Sequence, residues 1–301
     1  MIPSLSLQSL GYPDDDPPTV TRMAIAAGFT GVHLHLHLTP PTDRDRLARL
    51  VDHHQLTVTW VYPMNDLFSA DAATRHAALA AFTATAAYSA RLRVAVVSSR
   101  LPADIIPVAT RRHALPGALA NLVDLAGTAG LTFGIEHLHR PTTAWHTPQD
   151  PAGSLTDLVE LLSALGPATG LVVNSAHLAA AGALGDLAST TASESHSWLE
   201  RVIDVRLADP PPAGQPEHEQ RWPGTTGRID HTRLCNQLAD AGYRGPVMVE
   251  ASAAPGVARI HAAFQARTFL STLPTTSFDH PEHGPLHPPR PATTPVRSSA
   301  P

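Results

Sequence analysis

Polar residues stand near the ends of four strand-like runs in the second half of the chain, and their types suit proton transfer. Glu136 follows "LTFGI", Asn174 follows "GLVV", Arg206 lies within "VIDVRLAD" and Glu250 follows "VMV". A carboxylate can remove or return a proton beside a carbonyl group, and a positive charge can stabilise the negative oxygen that forms. We therefore predict that Glu136 and Glu250 exchange protons with a substrate while Arg206 supplies that positive charge.

Arg206 lies at the centre of a run that has the two-residue period of a β-strand. Its apolar neighbours share one face of this run, and Asp204 shares the other face with Arg206. Two carboxylates that face each other across a narrow opening repel, and each raises the pKa of the other unless a cation lies between them. We expect the Arg206 guanidinium to lie between Glu136 and Glu250.

Strand-like runs alternate with helical patterns along most of the chain, which predicts a (β/α)8 TIM barrel over residues 1–273. An open doubly wound sheet is the alternative, but no glycine-rich dinucleotide turn follows the first run. The proline density of residues 274–301 predicts a disordered tail. In such a barrel the functional groups lie at the carboxyl-terminal ends of the strands. The predicted strands are residues 4–10, 31–38, 56–62, 93–99, 131–138, 170–178, 202–209 and 246–252.

Composition excludes several classes of function. The net charge of −5 provides no basic surface for nucleic acid, and no apolar run approaches the ~20 residues that cross a bilayer. The N-terminus lacks the basic start of a secretory signal, so we expect a cytoplasmic protein. Cys235 is the only cysteine, and a core position is expected for it. All 21 residues counted as lysine or arginine are arginine, which excludes Schiff-base chemistry through a lysine.

Residues 31–38, "GVHLHLHL", supply further polar candidates. His33, His35 and His37 share one face if the whole run is a strand, and we expect that face to point into the barrel. Their spacing of ~6.5 Å along a strand favours a polar lining over a three-histidine metal site, with His35 or His37 touching the ligand. Trp60 on the third strand is a candidate pocket wall, with core packing as the alternative.

The motifs "GIEHLHR", "GLVVNSAHLAAAG", "VIDVRLAD" and "WPGTTGRIDHTRLCNQLADAGYRGPVMVE" resemble those of the xylose isomerase-like barrels. This sugar phosphate isomerase/epimerase superfamily also contains dehydratases. The resemblance implies a TIM barrel and, in typical members, a divalent ion (Mn, Mg or Zn). The ion is held by a glutamate on strand five, an aspartate on strand six, a histidine on strand seven and a glutamate on strand eight.

Two of these four implied ligands differ in this chain. Glu136 and Glu250 match the two glutamates, whereas Asn174 stands at the aspartate position and Arg206 at the histidine position. A guanidinium has no free lone pair and stays protonated, so it cannot bind a metal. We therefore expect no cofactor and no metal; if a metal binds, its ligands would be Glu136, Asn174 and Glu250. Without a metal, Arg206 would take the place of the ion as an organic cation.

The resemblance also implies substrate contacts. His177 matches a histidine that usually touches substrate, and it is a candidate for returning the proton; a buried core histidine is the alternative. Asp209 matches the acid that follows the family's histidine on the seventh strand. His139 and Arg140 lie in a loop similar to the family's substrate loop, and Trp222 lies in a glycine- and proline-rich loop that suits a lid.

These observations predict an enzyme of the isomerase or epimerase type that acts on a small hydroxy-carbonyl compound, such as a sugar or cyclitol derivative. A dehydratase, in which the same carboxylates expel water, is the first alternative. A non-catalytic ligand-binding protein on the same barrel is the second. The expected partners are a small-molecule substrate and, from the resemblance, further copies of the chain in a homodimer or homotetramer.

Overall fold

A computed structural model describes residues 1–12, 16–100, 108–137, 155–186, 198–211, 220–254 and 256–274. Within them eight parallel strands pair in chain order and close into a barrel, which confirms the predicted fold. The predicted tail falls on residues outside the described ranges, except for residue 274. The strands are β1 (Ile2–Leu5), β2 (Gly31–Leu34), β3 (Thr57–Pro63), β4 (Val96–Arg100), β5 (Thr132–Glu136), β6 (Thr169–Asn174), β7 (Val202–Leu207) and β8 (Pro246–Val249).

Helices connect the strands and pack on the outside of the barrel. None of the helices in the described ranges is long and apolar enough to cross a membrane. They are α1 (Pro17–Ala27), α2 (Arg44–His53), α3 (Ala72–Ser89), α4 (Val108–Thr128), α5 (Leu155–Leu165), α6 (Ser175–Ala180), α7 (Ala183–Asp186), α8 (His231–Asp240) and α9 (Arg259–Ser271).

Helix α1 illustrates how the sequence sets an element's ends. Asp16 precedes it and accepts a hydrogen bond from the Thr19 backbone N–H at 3.0 Å, which satisfies a donor that the first turn leaves unpaired. The helix stops at Gly28, whose φ of 75° is a left-handed conformation that glycine adopts without steric cost. The run "AIAAGFTG", residues 24–31, therefore ends a helix just before β2.

Every predicted strand differs from the structure in at least one bound, and three of the predicted runs end in helix. Residues 175–178 of the sixth predicted run, which include His177, lie in α6. β1 starts at Ile2, and residues 8–10 of the predicted run form a short 3-10 helix. β2 ends at Leu34, and residues 36–38 form another 3-10 helix. His35 and His37 therefore do not continue the strand face of His33, and the prediction that all three share that face is wrong.

A β-bulge in β7 lies directly before its inward-facing polar residues. The pairing with β6 shifts between Leu171 and Val172, so that Ile203 is an extra residue on the β7 side. Ile203 packs against two glycines, and a Cβ atom at Gly170 would lie 2.4 Å from its Cγ2 atom. Asp204 follows directly and reaches β2 across the barrel.

The predicted core position of Cys235 is also confirmed, because this residue is buried and burial raises the pKa of its thiol to about 12.

Candidate functional site

An ion cluster fills the carboxyl-terminal mouth of the barrel, and Arg206 lies at its centre. Its Nη1 donates to Oε2 of Glu136 at 2.6 Å and lies 3.5 Å from Oε2 of Glu250. Arg206 lies on β7, Glu136 ends β5 and Glu250 directly follows β8. All three therefore stand at the carboxyl-terminal ends of parallel strands, which face the same mouth of the closed barrel. The predicted position of this guanidinium between the two carboxylates is confirmed.

Arg100, the last residue of β4, is a second guanidinium in the cluster that the sequence analysis missed. Its Nε donates to Oε2 of Glu136, and its Nη2 donates to Oε1 of Glu136 at 3.1 Å and to Oε1 of Glu250. The two strands place it there, since Arg100 pairs with Glu136 in the β4–β5 register. The signal was present in "VVSSR", which ends a strand with a basic residue, but the predicted strand stopped at residue 99.

A deeper layer supports Arg206 from below. Its Nη2 donates to Oγ of Ser98 at 2.6 Å, and its Nε lies 3.6 Å from Oδ2 of Asp204. The other oxygen of Asp204 lies 2.9 Å from Nε2 of His33, and both of these side chains are fully buried. Burial by itself would raise the pKa of Asp204, but His33 and the charge of Arg206 outweigh it and hold this pKa at about 2.

Glu136 is a buried anion whose charge is neutralised by direct contacts with two guanidinium groups. Burial would raise the pKa of this carboxyl group, but the charges of Arg100 and Arg206 outweigh it and lower the pKa. Both oxygens accept guanidinium hydrogen bonds, and the side chain has no exposed surface. This placement does not suit the proton exchange that the sequence predicted for Glu136. It suits a residue that holds two guanidinium groups in position.

A hydrogen-bonded chain connects Glu250 to His177 along the rim. Nδ2 of Asn174 donates to Oε2 of Glu250 at 3.3 Å and to Oε1 of Gln220 at 3.2 Å. Nε2 of Gln220 lies 3.2 Å from Nε2 of His177 on α6. The Asn174 amide oxygen accepts from the Ala176 backbone N–H at 3.0 Å, which caps α6. The chain brings three predicted site residues together through Gln220, which the sequence analysis did not identify.

His35 and His37 form a separate pair beside the mouth. Their rings meet edge to face at 5.5 Å, and the His37 ring lies 6.2 Å from that of Tyr62. Burial, with smaller contributions from His37 and Arg206, lowers the pKa of His35 to about 4. Burial also lowers the pKa of His37. Nε2 of His35 and Nδ1 of His37 are buried and have no hydrogen-bond partner in the part of the chain that the structure describes. Their contact with a ligand stays a prediction.

Two predicted substrate contacts lie elsewhere. Trp60 is fully buried and stacks on Phe82 of α3, with ring centroids 4.9 Å apart. Strand alternation turns it toward the helices, so the prediction of a pocket wall is wrong. Asp209 is also fully buried. Its Oδ1 lies 2.9 Å from Nε2 of His231, and its Oδ2 accepts from the backbone and side chain of Thr226 at 2.7 and 2.8 Å. It anchors the loop before α8, which corrects its assignment as a substrate contact.

Of the three remaining predicted substrate contacts, the structure describes only Trp222. Trp222 lies in the loop that Asp209 anchors; it is partly buried and packs against the core. Gln220, two residues earlier, lies on the rim of the mouth through its contacts with Asn174 and His177. A lid role for Trp222 stays a prediction. His139 and Arg140 fall outside the described residues.

Comparison with known proteins identifies the family. A family model described as "Xylose isomerase-like TIM barrel" matches residues 22–271. The chain belongs to this family. A search of curated proteins finds no significant match.

Similar solved structures include a xylose isomerase domain protein from Alicyclobacillus acidocaldarius, at 23% identity and a TM-score of 0.72, covering 91% of this chain and 98% of that one. D-psicose 3-epimerase from Clostridium cellulolyticum H10, solved with D-tagatose, is 13% identical with a TM-score of 0.66, covering 91% and 99%. The IOLI protein, solved with a zinc atom, is 15% identical with a TM-score of 0.67, covering 91% and 98%. At these identities the likeness supports the fold alone.

The donor set of this xylose isomerase-like barrel does not fit a divalent ion. Glu136 and Glu250 both accept hydrogen bonds from guanidinium groups, and the Asn174 oxygen already caps a helix. A metal at this position would lie against Arg206, whose positive charge repels it. All three candidate ligands, Glu136, Asn174 and Glu250, are therefore already engaged with other groups.

Proposed function

We propose that this protein is an enzyme of the sugar isomerase or epimerase type, which moves a proton beside the carbonyl group of a small hydroxylated substrate. One observation carries the proposal. A partly exposed carboxylate, Glu250, contacts a guanidinium at the mouth of a xylose isomerase-like barrel. A base next to a fixed positive charge is what enolisation requires, because negative charge develops on the carbonyl oxygen as the proton leaves carbon.

Glu250 is the base in this proposal. Its side chain is 12% exposed, whereas that of Glu136 is fully buried between two guanidinium groups. The Glu250 carboxylate forms an O–H bond as the neighbouring carbon–hydrogen bond of the substrate breaks, and the electron pair moves to the carbonyl oxygen. Glu250 exchanges this proton with solvent and delivers a proton to the adjacent carbon, while the hydroxyl proton moves to the former carbonyl oxygen, which completes an isomerisation. Glu136 acts through the guanidinium groups that it holds.

His177 is the second proton-transfer group in this proposal. Asn174 and Gln220 connect it to Glu250 through contacts of 3.2 to 3.3 Å. The Gln220 amide nitrogen can only donate, so Nε2 of His177 accepts this hydrogen bond and carries no proton. An epimerase needs a proton donor and an acceptor on opposite faces of one carbon. Glu250 and His177, on different elements of the rim, are the candidates for these two roles.

The test is uptake of solvent deuterium by the substrate. The purified protein is incubated in D2O with aldoses, ketoses and keto-cyclitols, and each compound is analysed by mass spectrometry and NMR. We expect at least one compound to gain a single carbon-bound deuterium. We expect Glu250→Gln to abolish this uptake and Glu160→Gln, on the exposed face of α5, to retain it. Uptake that survives Glu250→Gln would refute the role of Glu250, and a product lighter by one water would identify a dehydratase.

A ligand-binding protein without turnover is a second candidate, because the same contacts also neutralise the carboxylates. Both oxygens of Glu136 and both oxygens of Glu250 accept guanidinium hydrogen bonds. This candidate predicts saturable binding of a panel compound in calorimetry, with no deuterium uptake over days. Deuterium uptake at a rate typical of enzyme turnover would exclude a ligand-binding protein without catalysis.

A further inference from the structure

We infer that Arg100 is the guanidinium that contacts the substrate, and that a substrate carbonyl and its adjacent hydroxyl replace Glu250 on it. The inference deepens the proposed function and rests on it. It assigns the two guanidinium groups different roles, although both contact the same two carboxylates.

Exposure separates the two arginines. The Arg100 side chain is 47% exposed, whereas that of Arg206 is 4% exposed. The terminal nitrogens of Arg206 are occupied by Glu136, Glu250 and Ser98, and its Nε atom is buried near Asp204. A substrate would have to break this buried set to reach Arg206.

Arg100 is anchored on one edge and open on the other. Its Nε and Nη2 atoms hold Glu136 in a two-point contact, which fixes the plane of the guanidinium. Its Nη1 atom has no hydrogen-bond partner within the described ranges, and Nη2 also holds Glu250. The Nη1 and Nη2 edge therefore becomes a free two-donor fork once Glu250 moves away.

This fork matches the substrate class of the proposed function. The two oxygens of an α-hydroxy-carbonyl group, or of its enediolate, lie side by side and can accept from both prongs of a guanidinium. Substrate binding at this edge also releases Glu250 from Arg100, which frees the carboxylate to take the proton. When Glu250 becomes neutral the enediolate becomes negative, so the transfer leaves the number of negative charges beside Arg100 unchanged.

The first test needs no substrate. Phenylglyoxal, which modifies accessible arginines, is applied briefly to the folded protein, and modified peptides are quantified by mass spectrometry. We expect Arg100 to react at least tenfold faster than Arg206. Glu250→Gln should accelerate the reaction at Arg100 because it weakens the contact that covers Nη2, whereas Glu160→Gln should not. Equal rates at the two arginines, or no effect of Glu250→Gln, would overturn the inference.

The second test uses whichever compound takes up deuterium. Arg100→Lys keeps the charge but removes the fork, and the loss of an oxyanion donor should lower kcat by about 100-fold. Arg93→Lys, at an exposed surface position, should leave kcat unchanged. Unchanged turnover in Arg100→Lys would overturn the inference while leaving the proposed function standing. If no compound exchanges deuterium, the proposed function fails for that panel, and the phenylglyoxal rates alone decide on Arg100.

Discussion

Replacing Arg206 with methionine is expected to lower the free energy of unfolding by about 3 kcal/mol. The guanidinium donates to Glu136 and to Ser98 at 2.6 Å each, in a side chain that is almost fully buried. Methionine fills similar volume without donors, so Asp204 loses its neighbouring positive charge and Glu136 keeps only Arg100. Removing one partner of a buried ion pair costs about 3–5 kcal/mol, and we expect the lower end because Arg100 still neutralises Glu136.

Equilibrium unfolding in urea measures this loss as a lower midpoint at an unchanged slope. Arg93→Met is the matched control, because Arg93 and Asp52 pair on the surface with side chains 85% and 70% exposed, and such pairs add little stability. Adding Glu136→Gln to Arg206→Met should recover part of the loss, since it removes the carboxylate that the first change leaves underpaired. An Arg206→Met protein as stable as the control would refute the view that this guanidinium neutralises the buried acids.

Three further predictions concern pH, metal and packing. The pKa of Asp204 is about 2, below its ordinary value of 3.8, so its contribution to stability is present above about pH 4 and is lost as the pH falls toward 2. The urea midpoint should therefore fall more steeply over this range in the wild type than in Asp204→Asn, and parallel curves would argue against it. Dialysis against a chelator should leave Tm unchanged, because guanidinium groups already pair with the carboxylates; release of one equivalent of a divalent ion with a drop in Tm would contradict this. Gly170→Ala should lower Tm, since its Cβ would lie 2.4 Å from Ile203. Gly117→Ala should keep or raise Tm, because among the described residues no atom outside the neighbouring helix backbone lies within 4 Å of the added Cβ.

The barrel and the direction of Arg206 were predictable because both follow from local periodicity. Strand-like and helical patterns alternate along the chain, and a two-residue period assigns each strand residue to the inside or outside of the barrel. That rule places Asp204 and Arg206 inside, as the structure confirms. The same rule, applied to Trp60, could have identified an outward residue that packs on α3.

The parts that could not be predicted depend on contacts between distant segments. Arg100 meets Glu136 because β4 and β5 pair in one particular register, which no single strand encodes. Asp209 anchors a loop because His231 lies 2.9 Å from it, although the two are 22 positions apart in the chain. The alternation of residues 31–38 suits a strand throughout. The chain nevertheless turns after Leu34 into a 3-10 helix, so His35 lies outside the strand.

The bulge at Ile203 gives the barrel interior a graded electrical environment. This partly exposed apolar side chain lies one residue before Asp204 and packs against Gly134 and Gly170. The Asp204 and Arg206 side chains that follow it are 0% and 4% exposed. Water reaches the cluster at the carboxyl-terminal mouth, where Arg100 is half exposed. Attraction between charges weakens as water and salt approach. The inner guanidinium, that of Arg206, therefore stays bound to the buried acids. The outer one, that of Arg100, can exchange the Glu250 carboxylate for a substrate oxygen.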